Sequence, residues 1–245
     1  MSRTSFEEEP SVFLSEMRAA IKRMKTGKAM GLGCISAEVL KAGGETVVEC
    51  MKIIIDNIWK TGDWPHDWTL SEIVTMPKVV GTQECNKHRT LSLISHGSKI
   101  LLDIIRQRVA HYVNPEIAEH QFGFISGKGT TDAMLVLRNL TEKSDRKSKD
   151  QELWLMFIDY AKAFDTVTHR ALWGTVIDFG VPKHLVWPIR QLYLKSLGAV
   201  RIPDGNTESF PFEKGVRKGC LLSPMLFNAV GETPTALNTY RAFSP

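Results

Sequence analysis

Apolar residues recur at helical spacing through the first half of the chain. One stripe joins Phe13, Met17, Ala20, Ile21 and Met24, and it runs into the basic run KRMKTGK. Residues three and four positions apart share one face of a helix, so such stripes predict amphipathic helices. The predicted helices are 13–24, 36–42, 45–62, 98–113 and one that begins near Thr130 or Thr131. The inward faces are expected to hold Val47, Met51, Ile54, Ile55 and Ile58 in the third helix and Leu101, Ile104, Ile105 and Val109 in the fourth.

Strands are indicated where β-branched and aromatic residues stand in short runs between turn residues. The predicted strands are SEIVTMPK, closed by Pro77, LWLMFID at 153–159, and two short strands around the turn PDGN in 198–212. Further helices are expected at 171–180, at 182–198 with a kink or break at Pro188, and after GVRKGCLLSP. The polar stretch 142–152 predicts a loop or subdomain boundary. This mixture indicates an α/β or α+β fold.

The amino-acid composition limits the classes of protein to which the chain can belong. The 245 residues are 43% hydrophobic, enough for a sizeable core, and no apolar run approaches the length of a membrane span. The polar, acidic start MSRTSFEEEP is unlike a signal peptide. The four cysteines are scattered without a CxxC pair, which argues against a zinc site or a disulfide framework. We therefore expect an intracellular protein, nuclear or cytoplasmic, that is neither secreted nor bound to a membrane.

The charge distribution leaves two interpretations open. The net charge is only +4, but seven basic residues and three acidic ones stand between Lys183 and Lys218. Such a surface suits a polyanion, while a solvated charged face explains it equally well.

Asp159 is a candidate metal ligand because it ends an apolar predicted strand. A carboxylate held at the rim of a sheet can bind Mg²⁺, which takes few protein oxygens together with substrate phosphates. A helix cap or an ion pair is the alternative. Asp165, six residues later, is interpreted as the N-cap of the next helix.

Three further segments carry basic residues, and two of them are glycine-containing turns before helices. NKHRT at 86–90 follows Lys78 and contains Arg89. QFGFISGKGTTDA precedes a predicted helix, whose first amides can attract phosphate. GVRKGCLLSP at 215–224 is a second basic turn before a helix.

In this order the segments resemble the reverse transcriptases of non-LTR (LINE-type) retrotransposons. The resemblance runs from about Ala20 to Asn228 and includes MKTGKAMGLGCISAEVLKAGG, KHRTLSLISHGSKILLDIIRQRV, EHQFGFISGKGTTDA, FIDYAKAFDTVTHRALW and GVRKGCLLSPMLFN. It implies an α/β (α+β) right-hand polymerase with fingers and a partial palm. It also implies an RNA template, a DNA primer, deoxynucleoside triphosphates and Mg²⁺ or Mn²⁺. The domains would be an N-terminal arm at 1–20, fingers at 21–150 and partial palm at 151–245.

The resemblance assigns a role to each candidate residue. Asp159 matches the first palm carboxylate, which holds both metal ions in the family. Phe164 matches the ring beneath the incoming sugar, with core packing as the alternative. Nucleotide binding is expected of Lys78, Arg89, Phe164, Lys218 and Gly219, and nucleic-acid binding of Gln121, Gly123, Lys128 and Arg217. We expect Lys78, Arg89, Arg217 and Lys218 to converge on one concave face with Asp159 at its floor.

The chain departs from the family pattern at several positions. Lys218 stands where glutamine is usual, Gly33 stands where aspartate is usual, and no Tyr-Ala-Asp-Asp motif follows LFN. These departures predict a chain truncated before that motif, with no thumb and no N-terminal endonuclease. Two hypotheses remain open beside an ordinary structural protein: part of a polymerase, or an inactive remnant that at most binds RNA or DNA.

Overall fold

The computed structural model describes residues 11–147 and 152–232. The N-terminal part is a helical bundle, and its helices are α1 (Leu14–Arg23), α2 (Ala37–Ala42) and α3 (Gly44–Thr61). The side chain of Ser36 accepts a hydrogen bond from the Val39 amide and so caps α2. The α3 helix ends at Gly62, whose φ of 72° lies in the left-handed region that glycine adopts freely.

The short helix α4 (His66–Thr69) leads into a sheet built from two distant parts of the chain. Its strands are β1 (Leu70–Pro77), β2 (His88–Leu93), β3 (Leu197–Ile202), β4 (Gly205–Asn206) and β5 (Phe210–Pro211). The order is β2-β1-β3-β4, and β5 also pairs with β3. The β1 strand is antiparallel to β2 and parallel to β3, with Leu70 opposite Leu197.

The remaining helices are α5 (His96–Val113), α6 (Thr130–Lys147), α7 (Ala163–Thr166), α8 (His169–Asp178), α9 (Lys183–Leu194) and α10 (Ser223–Gly231). The α5 helix contacts α1 of the bundle as well as α9 and α10, and α8 contacts α9 and α10. Two 3-10 turns, Cys85–Lys87 and Asn114–Glu116, precede β2 and follow α5. The α9 helix continues through Pro188, which was expected to kink or break it.

One hydrophobic core extends through all three predicted regions. Met17 and Ile55 belong to the same buried cluster as Leu192 and Leu226. The parallel pairing of β1 with β3 also joins the region predicted as fingers to the region predicted as palm. The division at residue 150 stays a prediction, and the first ten residues of the predicted arm lie outside the described part.

The strand predicted at 153–159 is absent from the described residues. Residues 152–160 have no strand assignment and all are exposed, with Trp154 at 85% and Met156 at 83%. A run of apolar residues forms a strand only when a partner supplies the ladder hydrogen bonds. Here the hairpin predicted to pair with it lies against β1 instead. Of the loop predicted at 142–152, residues 142–147 instead form the end of α6, and residues 148–151 lie outside the described residues.

Within the described residues, no helix combines the length and the apolar character that a bilayer crossing requires. The four cysteines are free, and Cys220 alone among them is buried.

Candidate functional site

The glycine-bounded loop 215–219 lies between α7 and β2 and is fixed there by its backbone. The Gly215 amide donates to the Val167 carbonyl at 2.7 Å, and the Val216 amide donates to the Phe164 carbonyl at 2.8 Å. Gly219 has a φ of 76°, and a Cβ there would lie 2.3 Å from the Ser92 carbonyl oxygen. Real Cβ atoms do not approach that closely, so only glycine allows the loop to contact β2 in this way.

A cavity of about 350 Å³ opens beside this loop. Phe164, Lys218 and Gly219, which were expected to bind nucleotide, all line it, together with Thr90 and Asp165. The structure therefore brings three of the five predicted nucleotide-binding residues into one concave site. Lys78 and Arg89 are not among its lining residues.

Lys218 forms an ion pair across this cavity. Its Nζ lies 2.8 Å from the Asp165 carboxylate and 2.9 Å from the Thr90 hydroxyl oxygen. The prediction that Asp165 caps the following helix is wrong, because α8 is capped by Thr168, whose hydroxyl accepts from the Ala171 amide at 3.3 Å. Asp165 instead lies within α7 and turns its carboxylate towards the cavity. Sequence reasoning missed this pair because 53 residues separate its members.

Phe164 packs within an aromatic group and remains partly accessible. Its ring stacks on Phe227 with a centroid distance of 4.5 Å and contacts the edge of Phe124 at 5.7 Å. The ring thus packs against the core, as the alternative interpretation held, and lines the cavity as well. These contacts fix the orientation of the ring.

Lys78 and Arg89 lie near the outer end of the β1–β2 ribbon. The Lys78 amide donates to the Lys87 carbonyl at 2.7 Å, and Arg89 stands opposite Met76 in the ladder. Both side chains are exposed and form no ion pair within residues 11–147 and 152–232. They are therefore available for an anionic ligand.

Asp159 is exposed near the end of the exposed segment 152–160 and does not line the cavity. The nearby Lys162 connects this segment to the turn before β2, since its Nζ lies 3.4 Å from the Asn86 side-chain oxygen. In the described part of the chain, no group of three His, Cys, Asp or Glu side chains is arranged to hold a metal ion.

Arg217 does not reach the surface, contrary to the prediction that it contacts nucleic acid. It is 5% exposed, and its guanidinium donates to the Trp68 carbonyl at 2.7 Å and the Ser71 hydroxyl at 3.1 Å. Burial lowers the pKa of Arg217. Burial has the opposite effect on Tyr193, because it raises the pKa of the hydroxyl group. This hydroxyl accepts a hydrogen bond from the Arg217 amide at 3.3 Å. Arg217 therefore anchors the loop to β1, and the expected convergence of four basic residues above Asp159 is not formed.

The loop before α6 is held mainly by contacts with its own chain. Asn228 of α10 donates to the Gly123 carbonyl at 2.8 Å and receives a hydrogen bond from Gln121 at 3.3 Å. Lys128 donates to the Glu119 carbonyl. The amide before α6, that of Gly129, donates to Asp132 at 2.7 Å, so a carboxylate of the chain already occupies the place expected for phosphate.

The basic stretch from Lys183 to Lys218 is not one continuous charged surface. Lys195 pairs with Asp63 at 2.6 Å, and Arg201 pairs with Glu72 at 2.6 Å. Together with the burial of Arg217 and the pairing of Lys218, this favours separate structural ion pairs over a single polyanion-binding face.

Comparison with known proteins places the chain in a family. The family model described as reverse transcriptase (RNA-dependent DNA polymerase) matches residues 76–237. The chain is 25% identical over 220 residues to a transposon TX1 uncharacterized 149 kDa protein from Xenopus laevis, covering 90% of this chain and 17% of that protein. Over 229 residues it is 25% identical to a putative 115 kDa protein in the type-1 retrotransposable element R1DM of Drosophila melanogaster, covering 92% of this chain and 22% of that protein.

A third relative carries an enzyme name. It is the probable RNA-directed DNA polymerase from transposon BS of Drosophila melanogaster, 25% identical over 238 residues that cover 95% of this chain and 26% of that protein. The chain thus spans about a sixth to a quarter of the length of these relatives. The predicted resemblance to non-LTR retrotransposon proteins is confirmed, and the chain belongs to the reverse transcriptase family.

Proposed function

We propose that this chain forms the fingers and part of the palm of an RNA-directed DNA polymerase. Its substrates would be an RNA template, a DNA primer and deoxynucleoside triphosphates, and it would act inside the cell, in the nucleus or the cytoplasm. One observation carries the proposal beyond family membership: Phe164, Lys218 and Gly219 line a single cavity next to β2.

In this proposal the cavity receives the sugar and base of the incoming nucleotide. The Phe164 ring, fixed by Phe227 and Phe124, would collide with a 2′-hydroxyl and so favour deoxynucleotides. The exposed Lys78 and Arg89 would neutralise the triphosphate, a task suited to a point charge and a planar fork of donors. Gln121, Gly123 and Lys128 would support the template strand through the loop they stiffen.

Reverse transcriptases generally use divalent metal ions, and Asp159 is the proposed ligand in this chain. Its carboxylate is exposed and offers hard oxygen atoms. The described residues do not complete such a site, because Asp165 is paired with Lys218 and no third carboxylate stands nearby. The fit is therefore partial, and the 245-residue chain is proposed to bind substrates without joining nucleotides.

Primer extension on an RNA template tests the proposal. We expect no product from the 245-residue chain with Mg²⁺ or Mn²⁺, and product from a version continued through a Tyr-Ala-Asp-Asp hairpin and a thumb. Asp159→Ala should abolish that product while leaving the fold unchanged by circular dichroism. Activity of the continued version that survives Asp159→Ala would contradict the role of Asp159.

The second candidate function is an inactive remnant that at most binds RNA or DNA. The ion pair between Lys218 and Asp165 favours it, because the pair fills part of the cavity that a nucleotide would enter. The same assay separates the two candidates, since Lys218→Gln in the continued version should raise activity if the pair obstructs the site. A continued version that stays inactive with either residue at position 218 would support the remnant.

A further inference from the structure

Phe124 is unusually placed in the loop that precedes α6. Its ring is 63% exposed, although the side chain is large and apolar. Its φ of 60° lies in the left-handed region, which among the non-glycine residues of the described chain only Cys34 and Lys162 share with it. This backbone conformation is unfavourable for a bulky residue, and such strain is concentrated at functional sites. Neither core packing nor backbone preference therefore accounts for a phenylalanine at this position.

The Phe124 ring contacts Phe164, which lines the proposed nucleotide cavity. The two ring centroids lie 5.7 Å apart, and the ring planes meet at 80°. Phe227 stacks on Phe164 at 4.5 Å with only 9° between the planes. The Phe164 ring is thus packed against one parallel and one nearly perpendicular neighbour, and Phe124 is the more exposed of these two neighbours.

The loop that carries Phe124 is anchored to α10. Asn228 of that helix is 5% exposed and donates to the Gly123 carbonyl at 2.8 Å, directly before Phe124. Gln121 donates to the same carbonyl at 3.1 Å and to the Asn228 side-chain oxygen at 3.3 Å. The residue before Asn228 is Phe227, so a single helix supports both the loop and the aromatic group.

We propose that Phe124 is a positioning residue that fixes the Phe164 ring and thereby sets the preference of the cavity for deoxynucleotides. Phe164 would collide with a 2′-hydroxyl only if its ring cannot move aside, and packing by neighbouring side chains prevents such movement. Phe124 does not itself line the cavity, so it acts through Phe164. The proposal rests on the proposed function, because it extends the sugar discrimination proposed for Phe164.

Fluorine NMR of the chain with para-fluorophenylalanine at position 164 tests whether Phe124 holds this ring. Phe124→Asn removes the neighbouring ring and introduces a residue type that accepts the left-handed backbone. We expect the resonance of position 164 to broaden or split in this variant, because its ring gains freedom. Phe124→Tyr keeps the aromatic contact and should retain the single narrow resonance of the wild-type chain. A single narrow resonance in Phe124→Asn overturns the proposal.

The matched control is Phe210→Asn on β5. Phe210 is also partly exposed, at 39%, and its ring contacts the edge of Phe212 at a similar centroid distance of 5.8 Å. It does not line the nucleotide cavity. The resonance of position 164 should be unchanged in this variant. Equal broadening in the Phe124 and Phe210 variants would indicate general loosening and would overturn the proposal.

Competition between deoxyadenosine and adenosine triphosphates for a fluorescent deoxynucleotide, with Mg²⁺ present, measures the effect on substrate preference. The wild-type chain should bind the deoxynucleotide more tightly. Phe124→Asn should reduce the ratio of the two affinities by about twofold to tenfold, which is the range that one aromatic pair can contribute. Phe124→Tyr and Phe210→Asn should keep the wild-type ratio. A ring with a merely structural role would leave the ratio unchanged in Phe124→Asn, and that result overturns the proposal.

The two measurements distinguish failure of this proposal from failure of the proposed function. A wild-type chain that binds neither nucleotide, or both equally, contradicts the role proposed for Phe164 and removes the preference that Phe124 would set. The fluorine spectra still determine in that case whether Phe124 fixes the ring. A wild-type preference that persists in Phe124→Asn contradicts the role of Phe124 alone.

Discussion

The bundle of α1, α3 and α5 and the segment from α6 to Tyr160 are both rich in apolar residues, but they bury them to opposite extents. Met17, Ile55 and Ile105 are fully buried in the bundle. In the other region, Leu135 is 57% exposed and Phe157 is 79% exposed. Hydrophobicity is similar in the two regions, so the difference lies in whether a complementary surface is present within the described residues.

The difference between these two regions shows that an apolar pattern predicts a helix more reliably than a strand. The bundle helices satisfy their own backbone groups and need only a neighbouring helix to cover one face. A strand must find its hydrogen-bond partners elsewhere in the chain, and the residues 152–158 find none in the described structure.

The largest expected effect is on the stability of the bundle. Ile105→Ala should lower the free energy of unfolding by about 2–5 kcal/mol, because it leaves a cavity among buried side chains. Phe157→Ala should change it by less than about 0.5 kcal/mol, because its ring is already exposed. Urea unfolding followed by circular dichroism measures both. Equal losses would show that the two regions are packed alike.

A smaller loss is expected where close backbone contact, rather than apolar burial, holds the structure. Gly219→Ala should destabilise the chain by about 1–3 kcal/mol, since its Cβ would meet the Ser92 carbonyl at 2.3 Å. Gly174→Ala is the matched control, because it lies within α8 with nothing within 4 Å of the new Cβ. That control should be neutral or stabilising by up to about 1 kcal/mol. If both variants have the same unfolding midpoint, the close contact with β2 does not constrain position 219.

The next effect depends on pH and comes from the link between α1 and α5. Burial raises the pKa of Glu16, but hydrogen bonds from Arg108 and the Phe13 amide outweigh it, so the pKa is lowered from 4.5. A carboxyl with a lowered pKa stabilises the fold above its unfolded value, and this stability is lost as pH falls through the folded value. The wild-type chain should therefore lose stability below about pH 4.5 more steeply than Glu16→Gln.

At neutral pH, Glu16→Gln should cost less than about 1 kcal/mol, because the pair is partly exposed to solvent. Glu142→Gln on α6 is the comparison, since its partner Arg138 is largely exposed. Chemical unfolding at several pH values measures both variants. A pH profile of Glu16→Gln parallel to that of the wild-type chain would contradict the assigned interaction.

The smallest effect on stability is expected at Trp154. Trp154→Lys should change the free energy of unfolding by less than about 0.5 kcal/mol, since the side chain is 85% exposed. The same change should reduce the binding of a hydrophobic fluorescent dye, because it removes the largest ring of the exposed apolar segment. A marked loss of stability would instead reveal that Trp154 is packed against another surface in solution.

The sequence predicted the bundle well and the sheet only in part. All four residues expected on the inner face of α5 are buried, because helical periodicity is a local property. In α3 the buried face is slightly rotated from the predicted one, because Val48 is buried and Ile54 is partly exposed. The β2 strand was not predicted, and the strand at 153–159 was predicted wrongly. Both depend on pairing between residues far apart in the chain.

In the candidate site, too, local motifs predicted some features, whereas features that depend on distant residues were missed. The motifs indicated that Phe164, Lys218 and Gly219 act together, and the three share a cavity. They could not indicate that Arg217 turns inwards to the carbonyl of Trp68 while Lys218, its neighbour, turns to Asp165. The direction of each side chain is decided by the register of the loop against β1 and β2, which no short motif contains.

The parallel pairing of β1 with β3 also bears on the order in which the chain folds during synthesis. Leu70 pairs with Leu197, about 130 residues later. At a synthesis rate of about 5–20 residues per second, roughly 6–25 s pass between the synthesis of β1 and the synthesis of this partner strand. The α1–α3 helices and the β1–β2 ribbon can form during that interval, whereas the edge of β1 that pairs with β3 stays open. The nascent chain is thus most prone to association with other chains before residue 202 has left the ribosome.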